Sequence, residues 1–229
     1  MTTLIGICSD DKKEVVLAAD RQASRMDSDG RTEYKHPTQK LYVNKDRNSA
    51  FGIVGAYDGR TQELVKLMIE GKIDLQKVIA EGRFQELLDI NFDRFGGKLP
   101  DNEKCTGILL ATNIDYPRLF TCFPMGKVEQ REDTNAGSGS RYVEEYLRAE
   151  QVINQARQKA SLLNGPISST VAREMAYRAV RYAAKFDPYS SGLDMVIVSP
   201  QSITELGKNI TGLEEKAQKQ ILDLIKRQL

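Results

Sequence analysis

Thr3-Leu4-Ile5-Gly6-Ile7-Cys8 and Val15-Val16-Leu17-Ala18-Ala19-Asp20 are two short apolar runs separated by the polar stretch Asp10-Asp11-Lys12-Lys13. Runs of this length, rich in β-branched residues and punctuated by a turn, predict a pair of strands at the front of the chain. Two more strands are predicted at Lys40-Leu41-Tyr42-Val43 and Ala50-Phe51-Gly52-Ile53-Val54-Gly55. Residues 23–39 between them are polar and carry Gly and Pro, which predicts a loop.

Beyond Gly55 the apolar period changes. Leu64, Val65, Leu67 and Met68 recur at helical spacing, and a second helical pattern runs from Leu75 to Phe95 through Val78, Ile79, Phe84, Leu87 and Leu88. Gly96-Gly97 and Pro100 then end it. Strands are predicted again at Thr106–Ala111, Leu119–Phe123 and Val128–Thr134. Helices follow over Arg141–Leu163 and from Ser169, the latter burying Val171, Met175, Ala179 and Ala183. A strand at Leu193–Val198 and an amphipathic helix over Leu213–Leu229 complete the chain. Strands and helices arrive in separate blocks, which predicts an α+β architecture of two antiparallel sheets with a helix pair on each outer face. No linker-like composition divides the 229 residues, so one domain over 1–229 is expected.

Composition removes several kinds of function. Lys and Arg number 33 against 32 Asp and Glu, a net charge of +1 without a basic cluster, which argues against a nucleic-acid surface. No apolar stretch approaches a membrane span, and the N-terminus lacks the pattern of a signal peptide. No membrane contact and a cytoplasmic location are expected. Cys8, Cys105 and Cys122 are far apart in apolar surroundings and read as buried thiols. The single histidine, His36, excludes HExxH zinc sites and Cys/His fingers, so no metal is expected. Neither a phosphate-binding GxxxxGK[ST] nor a GxGxxG pattern occurs, and no cofactor is expected.

Thr2 follows Met1 directly. If an aminopeptidase removes Met1, a hydroxyl stands beside its own free α-amine, which can activate it without a histidine. Several further residues have both a chemical and an ordinary reading. Asp20 at a strand end suits a turn, and Lys40 suits a solvated strand edge. Gly52 and Gly55 suit a bulge, Ser138 a helix N-cap, and Asp187 before Pro188 a helix-ending turn.

Taken in order, Thr2-Thr3-x-x-Gly6, Ala18-Ala19-Asp20-Arg21-Gln22-Ala23-Ser24, Gln39-Lys40-Leu41, Gly52-x-x-Gly55, Gly137-Ser138-Gly139-Ser140 and Asp187-Pro188-Tyr189-Ser190-Ser191-Gly192 span most of the chain. This series resembles the proteasome β-type subunits. The resemblance implies the four-layer αββα sandwich of the N-terminal nucleophile hydrolases. It implies Thr2 Oγ as nucleophile, the α-amine as general base, Lys40 beside Thr2, and Asp20 paired with Lys40. It further implies the Gly52 N–H as oxyanion donor, with Ser138, Asp187 and Ser190 around the amine.

For binding, the resemblance implies a peptide laid between Gln22–Ser24 and Ala50–Gly52. Ser24, Thr38, Tyr42, Ala50, Val54 and Asp58 would line the pocket for the residue before the cut, with Ala50 and Asp58 suited to a long basic side chain. The implied partners are polypeptide substrates, copies of the chain in a seven-membered ring, α-type subunits stacked on that ring, and a regulatory ATPase. Two departures stand out: Met1 alone precedes Thr2, in place of a propeptide, and Gln22 occupies a commonly basic position. The alternatives are a noncatalytic subunit of the same fold, or a related hydrolase acting on small amides.

Overall fold

The computed structural model describes residues 2–26, 32–55, 59–73, 75, 79, 81, 107–113, 116–122, 128–159, 169–187 and 192–206. Twelve strands and three helices are defined among them. The strands are β1 (Thr3–Cys8), β2 (Val15–Ala19), β3 (Gln22–Met26), β4 (Thr32–Pro37), β5 (Leu41–Val43) and β6 (Ser49–Val54), then β7 (Gly107–Thr112), β8 (Arg118–Cys122), β9 (Glu129–Arg131), β10 (Asp133–Gly137), β11 (Asp194–Val198) and β12 (Ile203–Glu205). The helices are α1 (Gly59–Ile69), α2 (Ser140–Lys159) and α3 (Ser169–Phe186). The expected helix over Leu213–Leu229 and most of the one over Leu75–Phe95 lie outside the described residues, as does Cys105.

The strands form two five-stranded antiparallel sheets, ordered β10-β1-β2-β11-β12 and β5-β6-β7-β8-β9, with β3 and β4 paired as a separate hairpin. The mixed α+β class and the two antiparallel sheets are as the sequence predicts.

Alternation along each strand sends side chains to two faces, and the apolar residues divide accordingly. On one face of the first sheet, Ile5, Ile7, Val16 and Ala18 pack with Val143 of α2 and Met175, Ala179 and Ala183 of α3. On its other face Leu4, Leu17 and Val196 meet Leu41, Ala50, Leu109 and Leu119 of the second sheet. The outer face of the second sheet sets Phe51, Ile53 and Leu110 against Leu64, Val65 and Met68 of α1.

The two sheets close on each other through reciprocal glycines. A Cβ on Gly6 would lie 2.7 Å from Leu119 Cδ1, and one on Gly52 would lie 2.6 Å from Leu4 Cδ1. Each sheet therefore receives a leucine of the other where its own strand lacks a side chain. The glycine of Thr2-Thr3-x-x-Gly6 is needed for this close approach.

Three sequence expectations need correction. Residues 23–39 are not simply a loop, because they carry β3 and β4, paired from Gln22–Pro37 to Met26–Thr32 with a register shift at Arg25/Met26. This hairpin is polar and lies in neither large sheet, so it lacks the apolar alternation that marks a strand. The run Val128–Thr134 is not one strand but parts of two, broken at Glu132: β9 pairs with β8 and β10 with β1. There the chain passes from one sheet to the other, and the Glu132 carbonyl accepts from the Cys8 N–H at 2.7 Å. Val171 is 38% exposed, and Ala172 is buried in its place. The α3 stripe runs Ala172, Met175, Ala176, Ala179, Val180 and Ala183, following the mixed three-and-four spacing of a helix face.

Leu109 is fully buried between the sheets. Leu109→Ala is expected to lower unfolding free energy by about 2–5 kcal/mol, read from the urea midpoint at an unchanged slope.

Candidate active site

The amino-terminal end of β1 is held by one buried carboxylate. Asp20 follows β2 and is fully buried. Its Oδ1 accepts the Thr3 N–H at 2.6 Å, and its Oδ2 accepts the Gln22 N–H at 3.0 Å. The Asp20 N–H in turn donates to the Thr3 carbonyl at 3.0 Å. Lys40, immediately before β5, donates its ammonium to both oxygens, at 2.8 and 2.9 Å. Its side chain is 7% exposed. Neither residue is the turn residue or solvated edge lysine that its position alone would suit.

Burial dominates the electrostatics of this pair. It pushes the Asp20 carboxyl above the ordinary carboxylate range, against Lys40 and the Thr3 and Gln22 amides. It pushes the Lys40 ammonium below its ordinary range, against Asp20 and, more weakly, Asp187. Each partner offsets part of the other's cost of burial, at the close distance seen between them.

From the opposite side the turn after β10 closes on the same strand end. Gly137 has φ +99°, and a Cβ there would lie 1.8 Å from the Thr2 carbonyl oxygen. A Cβ on Gly139 would lie 2.0 Å from Thr3 Oγ1. The two glycines of Gly137-Ser138-Gly139 therefore let this turn lie against Thr2 and Thr3. Ser138 sits between them and donates its hydroxyl to Asp187 Oδ2 at 2.7 Å, with the Thr2 carbonyl oxygen at 3.4 Å. It faces Thr2 and Asp187, and is not the helix cap its sequence suits. Asp187 is buried directly after α3, and its N–H donates to the Ala183 carbonyl at 2.8 Å.

Thr2, Asp20, Lys40, Ser138 and Asp187, which lie far apart in sequence, are thus gathered at one strand end. Thr2 itself is buried at 6% exposure. Gly52 lies in β6 opposite Leu41, beside Lys40. Ser190 and Asp58 lie outside the described residues.

The residues expected to line a substrate pocket do not all converge. Gln22 is buried beside Asp20. Thr38 donates its N–H to the Arg21 carbonyl at 2.8 Å. Ser24 lies in β3, with its Cα partner at Lys35. Ala50 and Val54 pack in the core between the sheets. Tyr42 belongs to the opposite face, stacked on Phe51 at a centroid distance of 5.5 Å, with its hydroxyl donating to the Gln39 carbonyl at 2.8 Å. Strand alternation sets Tyr42 on the opposite face of the second sheet from Ala50 and Val54: Tyr42 pairs with Phe51, whereas Val43 pairs with Ala50.

Other nucleophile chemistries find less support here. Burial and the nearby Glu132 push the Cys8 thiol up to about 12, and burial pushes the Cys122 thiol up as well. A thiol held protonated in this way is a poor nucleophile. Among the described residues no group of three or more His, Cys, Asp or Glu is gathered to hold a metal ion. No described helix is long and apolar enough to cross a membrane.

Sequence reading missed Thr3, Gly137 and Gly139 as parts of the site. The alternation Gly-Ser-Gly was the available signal, since a serine flanked by glycines suits a close backbone approach. No protein-family model matches the chain, and no curated protein matches it.

Removing one partner of the buried pair leaves the other uncompensated. Asp20→Asn alone is expected to cost about 3–5 kcal/mol of stability in urea unfolding. Combining it with Lys40→Met is expected to recover much of that loss, because no buried charge then remains.

Proposed function

We propose that this chain is a threonine endopeptidase of the proteasome β type, hydrolysing peptide bonds through Thr2 once Met1 has been removed. One observation carries the reading: the buried Asp20–Lys40 pair and the Ser138–Asp187 hydrogen bond bracket the Thr2–Thr3 backbone from two sides. The packing of α2 and α3 on one sheet and α1 on the other supports a four-layer αββα sandwich as the finer description of the fold. The chain is read as one such domain over 1–229.

In this reading the α-amine of Thr2 accepts the hydroxyl proton, through a water, as Oγ attacks the substrate carbonyl carbon. An α-amine ordinarily titrates at about 7.7–8.0, near the operating pH of a general base. The Lys40 ammonium lowers the cost of forming the alkoxide and disfavours protonation of the amine. Negative charge on the carbonyl oxygen goes to the Gly52 N–H. The C–N bond then breaks, the leaving amine takes up the proton, and an ester remains on Thr2. Water adds to that ester with the amine again as base, releasing the acid and restoring the hydroxyl. Asp20 fixes Lys40, and Ser138 with Asp187 and Ser190 orients the amine.

A peptide is bound by strand addition beside Gln22–Ser24, where backbone bonding is indifferent to side chains. The same reading includes rings of this chain stacked on α-type subunits, with a regulatory ATPase, in the cytoplasm, and no nucleic-acid or membrane partner.

The test is the intact mass of the purified chain before and after an epoxyketone. Loss of Met1 with a single adduct at Thr2 is expected. Thr2→Ala is expected to abolish the adduct and lower hydrolysis of an unfolded protein by about a thousandfold or more. Wild-type rate is expected to climb with pH between about 6.5 and 8.5 as the amine loses its proton. Retention of Met1 without an adduct, even after assembly with α-type subunits, would leave the noncatalytic subunit as the reading. Cleavage of small amides but not of unfolded protein would point to the other hydrolase class.

A further inference from the structure

Arg21, between Asp20 and Gln22, contacts both the segment that leads to Lys40 and the segment that leads into β11. Its carbonyl accepts the Thr38 N–H at 2.8 Å, two residues before Lys40. Its aliphatic stem lies over Gly192: a Cβ there would meet Arg21 Cβ at 3.0 Å, Cγ at 3.4 Å and Cδ at 3.5 Å. Gly192 has φ +69°, a conformation that favours glycine for a second reason. The guanidinium Nε stands 3.4 Å from Asp194 Oδ1, where β11 begins. Asp194 pairs in register with Ala19, one residue before Asp20.

We infer that Arg21 is a positioning residue, which ties the Gly192–Asp194 segment to the β2–β3 junction and balances the charge of Asp194 beside the Asp20–Lys40 pair. Its bearing on catalysis rests on the reading of Thr2 as nucleophile. Its bearing on Lys40 does not.

Asp194 is raised from its ordinary range first by burial, then lowered by Arg21 and raised by Asp20 and Glu205. Lys40 is faced by Asp20 and Asp187. Two acids, Asp20 and Asp194, thus lie close enough to oppose each other, and each has a basic partner, Lys40 for the first and Arg21 for the second. Removing Arg21 leaves Asp194 without this counter-charge, and the added negative field, or the loss of a nearby cation if Asp194 takes a proton, is expected to raise the Lys40 titration midpoint. Removing the Asp194 charge leaves Arg21 unbalanced and is expected to lower it.

The test uses the full chain, assembled, as Arg21→Gln, Arg21→Lys and Asp194→Asn. The Lys40 midpoint is followed by the 13Cε shift of labelled lysine, assigned by its absence in Lys40→Met. Arg21→Gln is expected to move it up by about half a unit and Asp194→Asn to move it down, while Arg21→Lys stays near wild type. Thr2-dependent kcat is expected to fall about tenfold in Arg21→Gln with KM within about twofold, and to recover in Arg21→Lys. A merely structural role would not produce opposite shifts from the two ends of one ion pair. If Thr2→Ala matches wild type in hydrolysis, the proposed function fails, and the Lys40 midpoint alone then decides the role of Arg21. If hydrolysis depends on Thr2 but neither kcat nor the midpoint moves in Arg21→Gln, the role of Arg21 is overturned and the function stands. If Arg21→Gln does not fold, the direction of the shift in Asp194→Asn decides: downward supports the pairing, and no change overturns it.

Discussion

A carboxylate with no access to water sits where four chain segments meet, and the geometry of the site follows from its need for partners. Asp20 is fully buried, so each of its oxygens must be supplied with donors. The donors come from the start of β1, the start of β3 and the residue before β5. Satisfying one side chain thereby fixes the relative placement of three strands and of the strand that carries Asp20 itself. A buried ion pair of this kind contributes little net stability, because desolvation offsets most of the attraction. Its contribution is positional: few arrangements of these segments can satisfy both oxygens at once.

The packing between the sheets serves the same end. Leu4 follows Thr3 on β1 and inserts at Gly52 of β6, while Leu119 of β8 inserts at Gly6. The strand that Thr2 leads into is therefore packed against β6 at Gly52 and against β8 at Gly6, and a side chain at either glycine would disturb the fit. From the other direction Gly137 and Gly139 bring a turn onto Thr2 and Thr3. Four glycines thus define the space around one strand end. At all four, neighbouring atoms are too close for a Cβ, and Gly137 is also favoured by its left-handed backbone.

Much of this was legible in the sequence, and what was not has definite physical causes. β1, β2, β6, β7 and β8 are buried apolar runs and announce themselves. The β3–β4 hairpin is polar and outside both large sheets, so periodicity had nothing to report. The break at Glu132 arises from a change of sheet, a tertiary event with no local composition signal. At the site, Thr2, Asp20, Lys40, Ser138 and Asp187 were found as chemical types in a recognisable order, and they do come together. That Tyr42 lies on the opposite face from Ala50 and Val54 could not be read from the sequence, because face assignment needs the register. Arg21 escaped notice because an arginine beside an aspartate on a polar stretch reads as ordinary surface, and its partners lie some 170 residues further on, at Gly192 and Asp194.

The balance of charge argues for what Lys40 does and does not do. A buried lysine with its ammonium lowered by burial could in principle serve as a proton acceptor. Here both oxygens of Asp20 hold that ammonium at hydrogen-bond distance, and Asp187 adds to the same field. Those interactions favour the charged form and occupy the donor hydrogens, so giving up a proton would strand Asp20 as an unpaired buried anion. In the proposed mechanism the lysine is therefore assigned the part of a fixed positive charge. On the proposed reading the base has to be sought elsewhere, and the residue whose backbone is clamped between Asp20's neighbour Thr3 and Ser138 is Thr2. An α-amine freed there would lie among groups already held in place by bonds that do not depend on substrate, which is the preorganisation that catalysis by fixed charges requires.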